Sequence, residues 1–136
     1  MELFTQNLND DHRGLIIKLN KVKSLGRVSP EAKEILFSSK QILLSHLRKE
    51  DEHLYPVLKK AEEKNENIKK IVDSFSQEME TISKNTITFF NKYEQESQGT
   101  DFAADLENLL ATLRNRIHKE ENILYKMFNE IKSSVS

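Results

Sequence analysis

One eleven-residue stretch occurs twice in this chain, and the repetition limits the folds that the chain can adopt. The first copy, HLRKEDEHLYP, covers residues 46–56, and the second, RIHKEENILYK, covers residues 116–126. The copies align without a gap and share a Lys-Glu pair and a Leu-Tyr pair. In both, a Glu follows the first residue by four positions, so the two side chains share one face of an α-helix. The chain is therefore expected to contain two similar helices.

The first copy directs a His and a Glu toward a hydrophobic core. Leu43, Leu47 and Leu54 belong to the same broad apolar stripe as His46 and Glu50. A buried carboxylate is unfavourable unless it is neutralised, hydrogen-bonded or bound to a cation. Helical bundles build metal sites in their interiors from acids and imidazoles at this spacing, so the pair is a candidate metal site.

The second copy keeps the carboxylate and loses the imidazole. Glu120 aligns with Glu50. The position of His46, however, is held by Arg116. His118 lies two residues further on, roughly 200° around the helix from that position, so it cannot replace the missing imidazole without rotation of the helix.

Hydrophobic residues recur at the period of an α-helix in four segments. The predicted helices cover residues 6–24, 30–60, 68–94 and 101–132. Four amphipathic helices joined by short loops predict an all-α fold, an antiparallel up-down four-helix bundle. With 136 residues, the chain is long enough for one domain with a real core, and the bundle is expected to span residues 1–136.

Local signals predict where these helices begin and end. Ser29 followed by Pro30 is a strong start signal for the second helix. Pro56 predicts a kink or break in the same helix. Thr100 is the expected N-cap of the fourth helix, and residues 133–136 are expected to fray.

Counting residues from the predicted turns compares the heights of the polar core positions. Met79 and Arg116 come out at nearly the same height, and Glu50 matches Met79 across the preceding turn. His12 comes out about one turn too shallow relative to His46. A tilted or longer first helix would remove that discrepancy.

Three motifs resemble the hemerythrin-like family of HHE cation-binding domains. They are DDHRGL at residues 10–15, His46 with Glu50 and the following Leu-Tyr-Pro, and KEENILY at residues 119–125. The resemblance covers nearly the whole chain. It implies a four-helix bundle around a non-haem di-iron centre, with imidazole ligands from every helix. Members of the family bind or sense oxygen or nitric oxide, handle iron, or help to repair iron centres.

Carried over residue by residue, the resemblance assigns the metal-ligand positions His12, His46, Glu50 and Glu120. Two further positions of the family pattern lack their imidazole, because helix three has Met79 and helix four has Arg116. Thioether sulfur is a poor ligand for ferrous iron, and a guanidinium group is no ligand. The half of the centre that draws its His residues from the first two helices is therefore the half expected to survive.

Arg116 has two interpretations. Its permanent charge would replace a second metal ion beside Glu50 and Glu120, or it would form an ion pair with Glu120 in a metal-free protein. Two His and two carboxylates come close to the two-His-one-carboxylate pattern of mononuclear non-haem iron, which also suits zinc or manganese. The expected cofactor is one iron ion or none, and a di-iron centre is less expected.

Simpler interpretations apply to the other polar or unusual residues. Met79 is expected to fill the core, and His12 taken alone also fits a hydrogen-bonded core histidine. His53 lies on the inner stripe one turn past Glu50, where it is either a stray ligand or, like its counterpart Ile123, a packing residue. The residues assigned to the solvated face are Asp51, Glu52, His118 and Glu121.

Composition excludes several other functions. The absence of Cys excludes disulfides, thiolate nucleophiles and iron–sulfur clusters. A net charge of −1 without a basic tract argues against nucleic acid and anionic membranes as partners. No apolar run matches a membrane span and the start does not resemble a secretory signal, so a cytoplasmic location is expected. The chain also lacks a Gly-rich phosphate loop and a nucleophile elbow.

Two functions remain after these exclusions. The first is a metal-binding module with a reduced, single-metal centre that binds a diatomic gas or senses redox or iron status. The second is a metal-free bundle that serves as a regulatory or protein-interaction scaffold for an unidentified partner, held by a buried His/Glu/Arg network. An iron-dependent oxidase comes third, and an enzymatic role is less expected than a binding role.

Overall fold

Four helices account for nearly all residues that the structure, a computed structural model, describes: 2–25, 29–95 and 101–135. Helix α1 is Glu2–Leu25, and α3 is Glu66–Gln95. Helix α2 consists of Pro30–Lys49, a π-helical turn at Glu50–Leu54, and Tyr55–Glu62. Helix α4 has the same construction, with Phe102–Lys119, a π-helical turn at Glu120–Leu124, and Tyr125–Val135. The predicted all-α four-helix bundle is confirmed, with no strand in these ranges.

Several helix ends follow from local capping. The Ser29 side chain accepts a hydrogen bond from the Ala32 N–H at 3.1 Å, and Pro30 follows it as predicted. At the start of α3, the Asn65 side chain accepts from the N–H groups of Asn67 and Ile68, a cap that the sequence analysis missed. The predicted Thr100 cap lies outside the described residues. The other termini differ from prediction, since α1 begins at residue 2 and α4 remains helical to residue 135.

The two π turns lie at equivalent positions of the repeated stretch. In each, a Tyr N–H bonds to a carbonyl five residues back: Tyr55 to Glu50, and Tyr125 to Glu120. The first turn lies just before Pro56, where a kink was predicted. The second copy has Lys126 at that position and forms the same turn, so proline is not the common cause.

The π turns also correct two sequence assignments. A π turn rotates less per residue than an α turn, so the residues within it shift around the helix. As a result, the His53 side chain is 63% exposed and Ile123 is 46% exposed. The prediction that both lie on the inner stripe is wrong, whereas Leu54 and Leu124 are fully buried.

Two hydrophobic clusters fill the bundle on either side of a polar layer. One contains Leu15, Leu43, Ile82 and Leu113, and the other contains Leu8, Leu54, Phe75 and Leu124 among their members. Along α1, α2 and α4, the buried His, Glu and Arg residues lie between members of these two clusters. The polar layer is therefore enclosed by apolar side chains above and below. In the described part of the chain, no helix is long and apolar enough to cross a membrane.

Candidate metal centre

Five polar side chains from three helices converge in this layer. Helix α1 contributes His12, α2 contributes His46 and Glu50, and α4 contributes Glu120 and Tyr125. All five are at most 5% exposed. The four positions assigned as ligands from the sequence are thus brought together, and His12 lies at the height of His46. Helix α1 ends only one residue later than predicted, so its length does not account for the height difference of about one turn that the sequence indicated.

The spacing of the donor atoms suits a single ion. The Nε2 atoms of His12 and His46 are 3.2 Å apart. Glu120 Oε1 lies 3.1 Å from Nε2 of His12, and Glu50 Oε2 lies 3.4 Å from Nε2 of His46. Ligand atoms that are each about 2.1 Å from one ion are separated by roughly 3.0–3.4 Å. Within the described ranges, His12, His46 and Glu120 form a buried group that could hold a metal ion.

Each imidazole is oriented by a carboxylate on its other ring nitrogen. His12 Nδ1 lies 2.8 Å from Glu121 Oε2, and His46 Nδ1 lies 3.2 Å from Asp11 Oδ2. A carboxylate only accepts, so both Nδ1 atoms carry the proton, and a neutral ring then has its lone pair on Nε2. Metal-binding His residues are oriented in this way. In the neutral rings, both lone pairs point into the same small space, where a metal ion or a proton would stabilise them.

One oxygen of Glu50 is left without a partner. Glu50 is 1% exposed, and its Oε2 accepts a hydrogen bond from the Tyr125 hydroxyl at 2.7 Å. Its Oε1 is buried and has no hydrogen-bond partner among the described residues. An unpaired buried carboxylate oxygen is costly. This orphaned atom and the facing imidazole nitrogens both fit a bound metal ion.

Charges in the layer shift the pKa of His46. Burial alone lowers this pKa, but the neighbouring carboxylates of Glu50, Glu120 and Asp11 outweigh it and raise the pKa above its ordinary value. In the metal-free protein, a proton on His46 therefore supplies part of the positive charge that the carboxylates require.

Arg116 supplies positive charge on the other side of Glu120. It is 2% exposed, and its Nε donates to Glu120 Oε2 at 3.1 Å. Its Nη1 donates to Glu78 Oε1 at 3.3 Å, and its Nη2 donates to the Tyr55 hydroxyl at 3.4 Å. The guanidinium carbon lies 4.7 Å from the centre of the Phe75 ring. Arg116 is therefore a buried partner of Glu120, as both interpretations of the sequence required.

The pKa of Glu120 reflects cations on both sides. Burial alone raises this pKa, but the contact with the His12 imidazole and the charge of Arg116 outweigh burial, and the pKa is lowered below its ordinary value. Burial alone lowers the pKa of Arg116. The charge of Glu120 is the largest of the effects that oppose burial, and together they raise this pKa above its ordinary value. Glu120 is therefore ionised at neutral pH, with one oxygen toward His12 and the other toward Arg116.

The family of the chain follows from comparison with known sequences. The sequence model of the hemerythrin HHE cation-binding domain matches residues 3–128. The chain belongs to this family. The match includes the whole polar layer, from His12 to Tyr125. No curated protein and no solved structure gives a match.

The two halves of this hemerythrin domain correspond residue by residue. In each half, one carboxylate contacts the first and fourth residues of the repeated stretch on the following helix. Those contacts are Asp11 with His46 and Lys49, and Glu78 with Arg116 and Lys119. Met79, which follows Glu78, thus corresponds to His12, which follows Asp11. The two positions that lack the imidazole of the family pattern, Met79 and Arg116, therefore lie in the same half of the domain.

Met79 lies beside an open cleft rather than in a closed site. The cleft, of about 540 Å³, separates α2 from α3 and is also lined by Asp51 and Tyr55. Met79 is half-buried and packs against the hydrophobic core, which agrees with its expected packing role. In the repeated stretch, Asp51 corresponds to Glu121. The second half of the hemerythrin site therefore keeps its outer carboxylates, Asp51 and Glu78, without the imidazoles.

Sequence reasoning missed three residues of the centre. Glu121 was assigned to the solvated face, but its side chain, 34% exposed, reaches His12, so that assignment is wrong. Asp11 and Tyr125 received no role. The repetition of Tyr55 as Tyr125 was the one signal that could have singled out the tyrosine. The solvated assignments of Asp51, Glu52 and His118 are confirmed.

Proposed function

We propose that this hemerythrin-family domain holds a single iron ion through His12, His46, Glu50 and Glu120 and binds or senses oxygen or nitric oxide. The observation that carries the proposal is the pair of imidazoles whose Nδ1 atoms donate to carboxylates while their Nε2 atoms face each other at 3.2 Å. Iron bound there would supply a redox-active Lewis acid with affinity for these gases. The proposed location is the cytoplasm.

The chain itself would prepare and limit the site. Glu121 and Asp11 hold the two rings with their Nε2 lone pairs inward. Arg116 provides a permanent charge where a second ion would otherwise balance the carboxylates, and its contact with Glu120 Oε2 leaves Oε1 toward the imidazoles. The apolar clusters above and below exclude water from the layer. These features support one ion rather than two.

Metal analysis tests the proposal directly. Metal-free protein loaded anaerobically with ferrous iron and then dialysed should retain one iron per chain. His12→Ala and His46→Ala should each abolish retention, while His118→Ala serves as the matched control because His118 is exposed. Nitric oxide added to the loaded protein should change its visible absorption. No retained iron would overturn the proposal, and retained iron without a gas response would overturn the gas-binding part alone.

A metal-free scaffold is the second candidate. It is favoured by the Arg116–Glu120 pair and the raised pKa of His46, which together supply positive charge to the layer without a metal ion. A wild-type protein that retains no ferrous iron, zinc or manganese and is unchanged in thermal stability by these metals would support this function instead.

A further inference from the structure

The Tyr125 hydroxyl lies beside every member of the proposed ligand set. Its oxygen is within hydrogen-bonding distance of one donor atom from every proposed ligand. The distances are 2.7 Å to Glu50 Oε2, 3.3 Å to His12 Nε2, 3.4 Å to His46 Nε2 and 3.4 Å to Glu120 Oε1. These spacings are similar to the separations of 3.1 Å between Glu120 and His12, 3.2 Å between His12 and His46, and 3.4 Å between His46 and Glu50. They are also those expected for ligands around one ion.

Hydrogen bonding alone does not account for this position. A hydroxyl has one hydrogen, which Tyr125 donates to Glu50. The oxygen therefore turns a lone pair toward Glu120 Oε1 at 3.4 Å, an atom that can only accept. A cation bound to the tyrosine oxygen and to the acceptor that it faces would replace this unfavourable contact by metal–ligand bonds.

The surroundings hold the Tyr125 ring in place. The residue is 2% exposed and belongs to the hydrophobic cluster that contains Leu54 and Phe128. Its ring stacks on the imidazole of His12, with centroids 5.7 Å apart and planes 9° apart. The oxygen thus faces the site without a change of rotamer.

The other half of the domain provides an internal comparison. Tyr55 is the counterpart of Tyr125 in the repeated stretch, and its hydroxyl oxygen accepts a hydrogen bond from Arg116. Where the bundle has a permanent cation, the repeated tyrosine directs its oxygen at that cation. By the same correspondence, Tyr125 directs its oxygen to the place where the proposed metal ion would lie.

We propose that Tyr125 is a fifth ligand of the metal centre and binds ferric iron through its phenolate oxygen. This inference rests on the proposed function. The phenol O–H bond would break, the proton would pass through Glu50 Oε2, its hydrogen-bond partner, to solvent, and an oxygen lone pair would form the bond to iron, which stays ferric. The charge of the ferric ion would have to outweigh burial and the carboxylates of Glu120 and Glu50, which raise the pKa of Tyr125. An anionic oxygen donor suits a hard ferric ion, and it adds a third negative ligand to the two carboxylates.

Ferric loading of three proteins tests the assignment. Wild type and Tyr55→Phe, the matched control, should show a visible phenolate-to-iron charge-transfer band with tyrosinate modes in resonance Raman spectra. Tyr125→Phe should retain iron with roughly tenfold weaker affinity and lose the band. Iron content is measured on each sample, so band intensity is expressed per bound ion.

A second variant covers failure of Tyr125→Phe to fold. The chain has three Tyr, so Tyr55→Phe/Tyr93→Phe leaves Tyr125 alone, and this variant should keep the band. Wild type that binds ferric iron without a band, or a band that survives in Tyr125→Phe, would overturn the inference but not the proposed function. Wild type that binds neither ferrous nor ferric iron would overturn both.

Discussion

Arg116 makes with Glu78 the contact that His46 makes with Asp11, so a guanidinium occupies in one half of the bundle the place of an imidazole in the other. Glu120 lies between the two halves. Its Oε1 faces His12 and its Oε2 accepts a hydrogen bond from Arg116. One carboxylate thus connects the candidate metal site to a permanent cation.

Removing the cation should destabilise the metal-free protein. Arg116→Met removes the cation beside Glu120 Oε2. Breaking a buried pair of this kind lowers the free energy of unfolding by about 3–5 kcal/mol at neutral pH. Chemical denaturation of Arg116→Met against Arg114→Met, an exposed arginine on the same helix, measures the difference. The control should change stability by no more than about 0.5 kcal/mol. An Arg116→Met variant that is as stable as the wild type would contradict the assignment of a buried ion pair.

The deficit of Arg116→Met should shrink on acidification. The folded pKa of Glu120 is lowered, so its ionised form contributes stability above the unfolded pKa, about 4.3, and that contribution is lost as the pH falls through the folded value. Arg116 supplies part of this lowering. Denaturation curves of both proteins should therefore approach each other as the pH falls below about 4, and a difference that is the same throughout the acid range would count against the electrostatic explanation.

Restoring two imidazoles should create a second metal site. Met79→His/Arg116→His places His residues at the counterparts of His12 and His46, where Asp51 and Glu78 remain as outer carboxylates. The double variant should retain two metal ions per chain where wild type retains one. Each single variant, measured in the same way, should stay at one. A double variant that folds and still binds one ion would disprove the correspondence between the halves.

The outer carboxylates should control metal affinity in one half only. Glu121→Gln removes the charged acceptor of the His12 Nδ1–H and should weaken metal binding roughly 10- to 100-fold. Asp11→Asn should act similarly through His46. The matched control is Asp51→Asn, because Asp51 is the counterpart of Glu121 and has no imidazole to orient. Competition with a chelator gives the affinities, and equal losses in Glu121→Gln and Asp51→Asn would refute the assigned roles.

A hydrogen bond near the α3–α4 connection should show its own pH dependence. The fully buried Tyr93 donates to Asp105 Oδ2 at 2.5 Å, and Asp105 is 34% exposed. This hydrogen bond is the largest of the effects that lower the pKa of Asp105. Burial, and then the Asp105 carboxylate, raise the pKa of Tyr93 to about 12. Tyr93→Phe should cost roughly 1–2 kcal/mol at neutral pH, since solvent weakens a bond to a partly exposed charge.

The sign of each shift fixes the pH window of that cost. The lowered pKa of Asp105 makes its contribution full above about pH 4 and lost as pH falls through the folded value. The raised pKa of Tyr93 makes its contribution full below about pH 10 and lost toward pH 12. Urea denaturation should show a smaller deficit at acidic pH, below about pH 4, than at pH 7. Lys92→Met, which removes an exposed ion pair to Asp105 and a cation–π contact of 5.2 Å with the Tyr93 ring, should have a much smaller effect.

Much of the candidate site could be predicted because its signals are local. Four-residue spacing fixes a shared helix face, so His46 with Glu50 was recognised within one helix. Glu120 and Arg116 followed from alignment of the repeat rather than from any contact. The exposure of His53 could not be predicted, because it depends on a π turn that changes how the following residues are rotated around the helix axis.

The sequence by itself determined the helical period, the four-helix bundle, the repeated stretch and the buried positions of His46, Glu50, Arg116 and Glu120 within it. Only the tertiary structure decided that His12 and His46 face each other, that Glu121 and Asp11 orient them, and that Tyr125 lies among the ligands. The physical reason is that helical periodicity is set by bonds within about five residues. Contacts between helices depend instead on the height and rotation at which the helices pack.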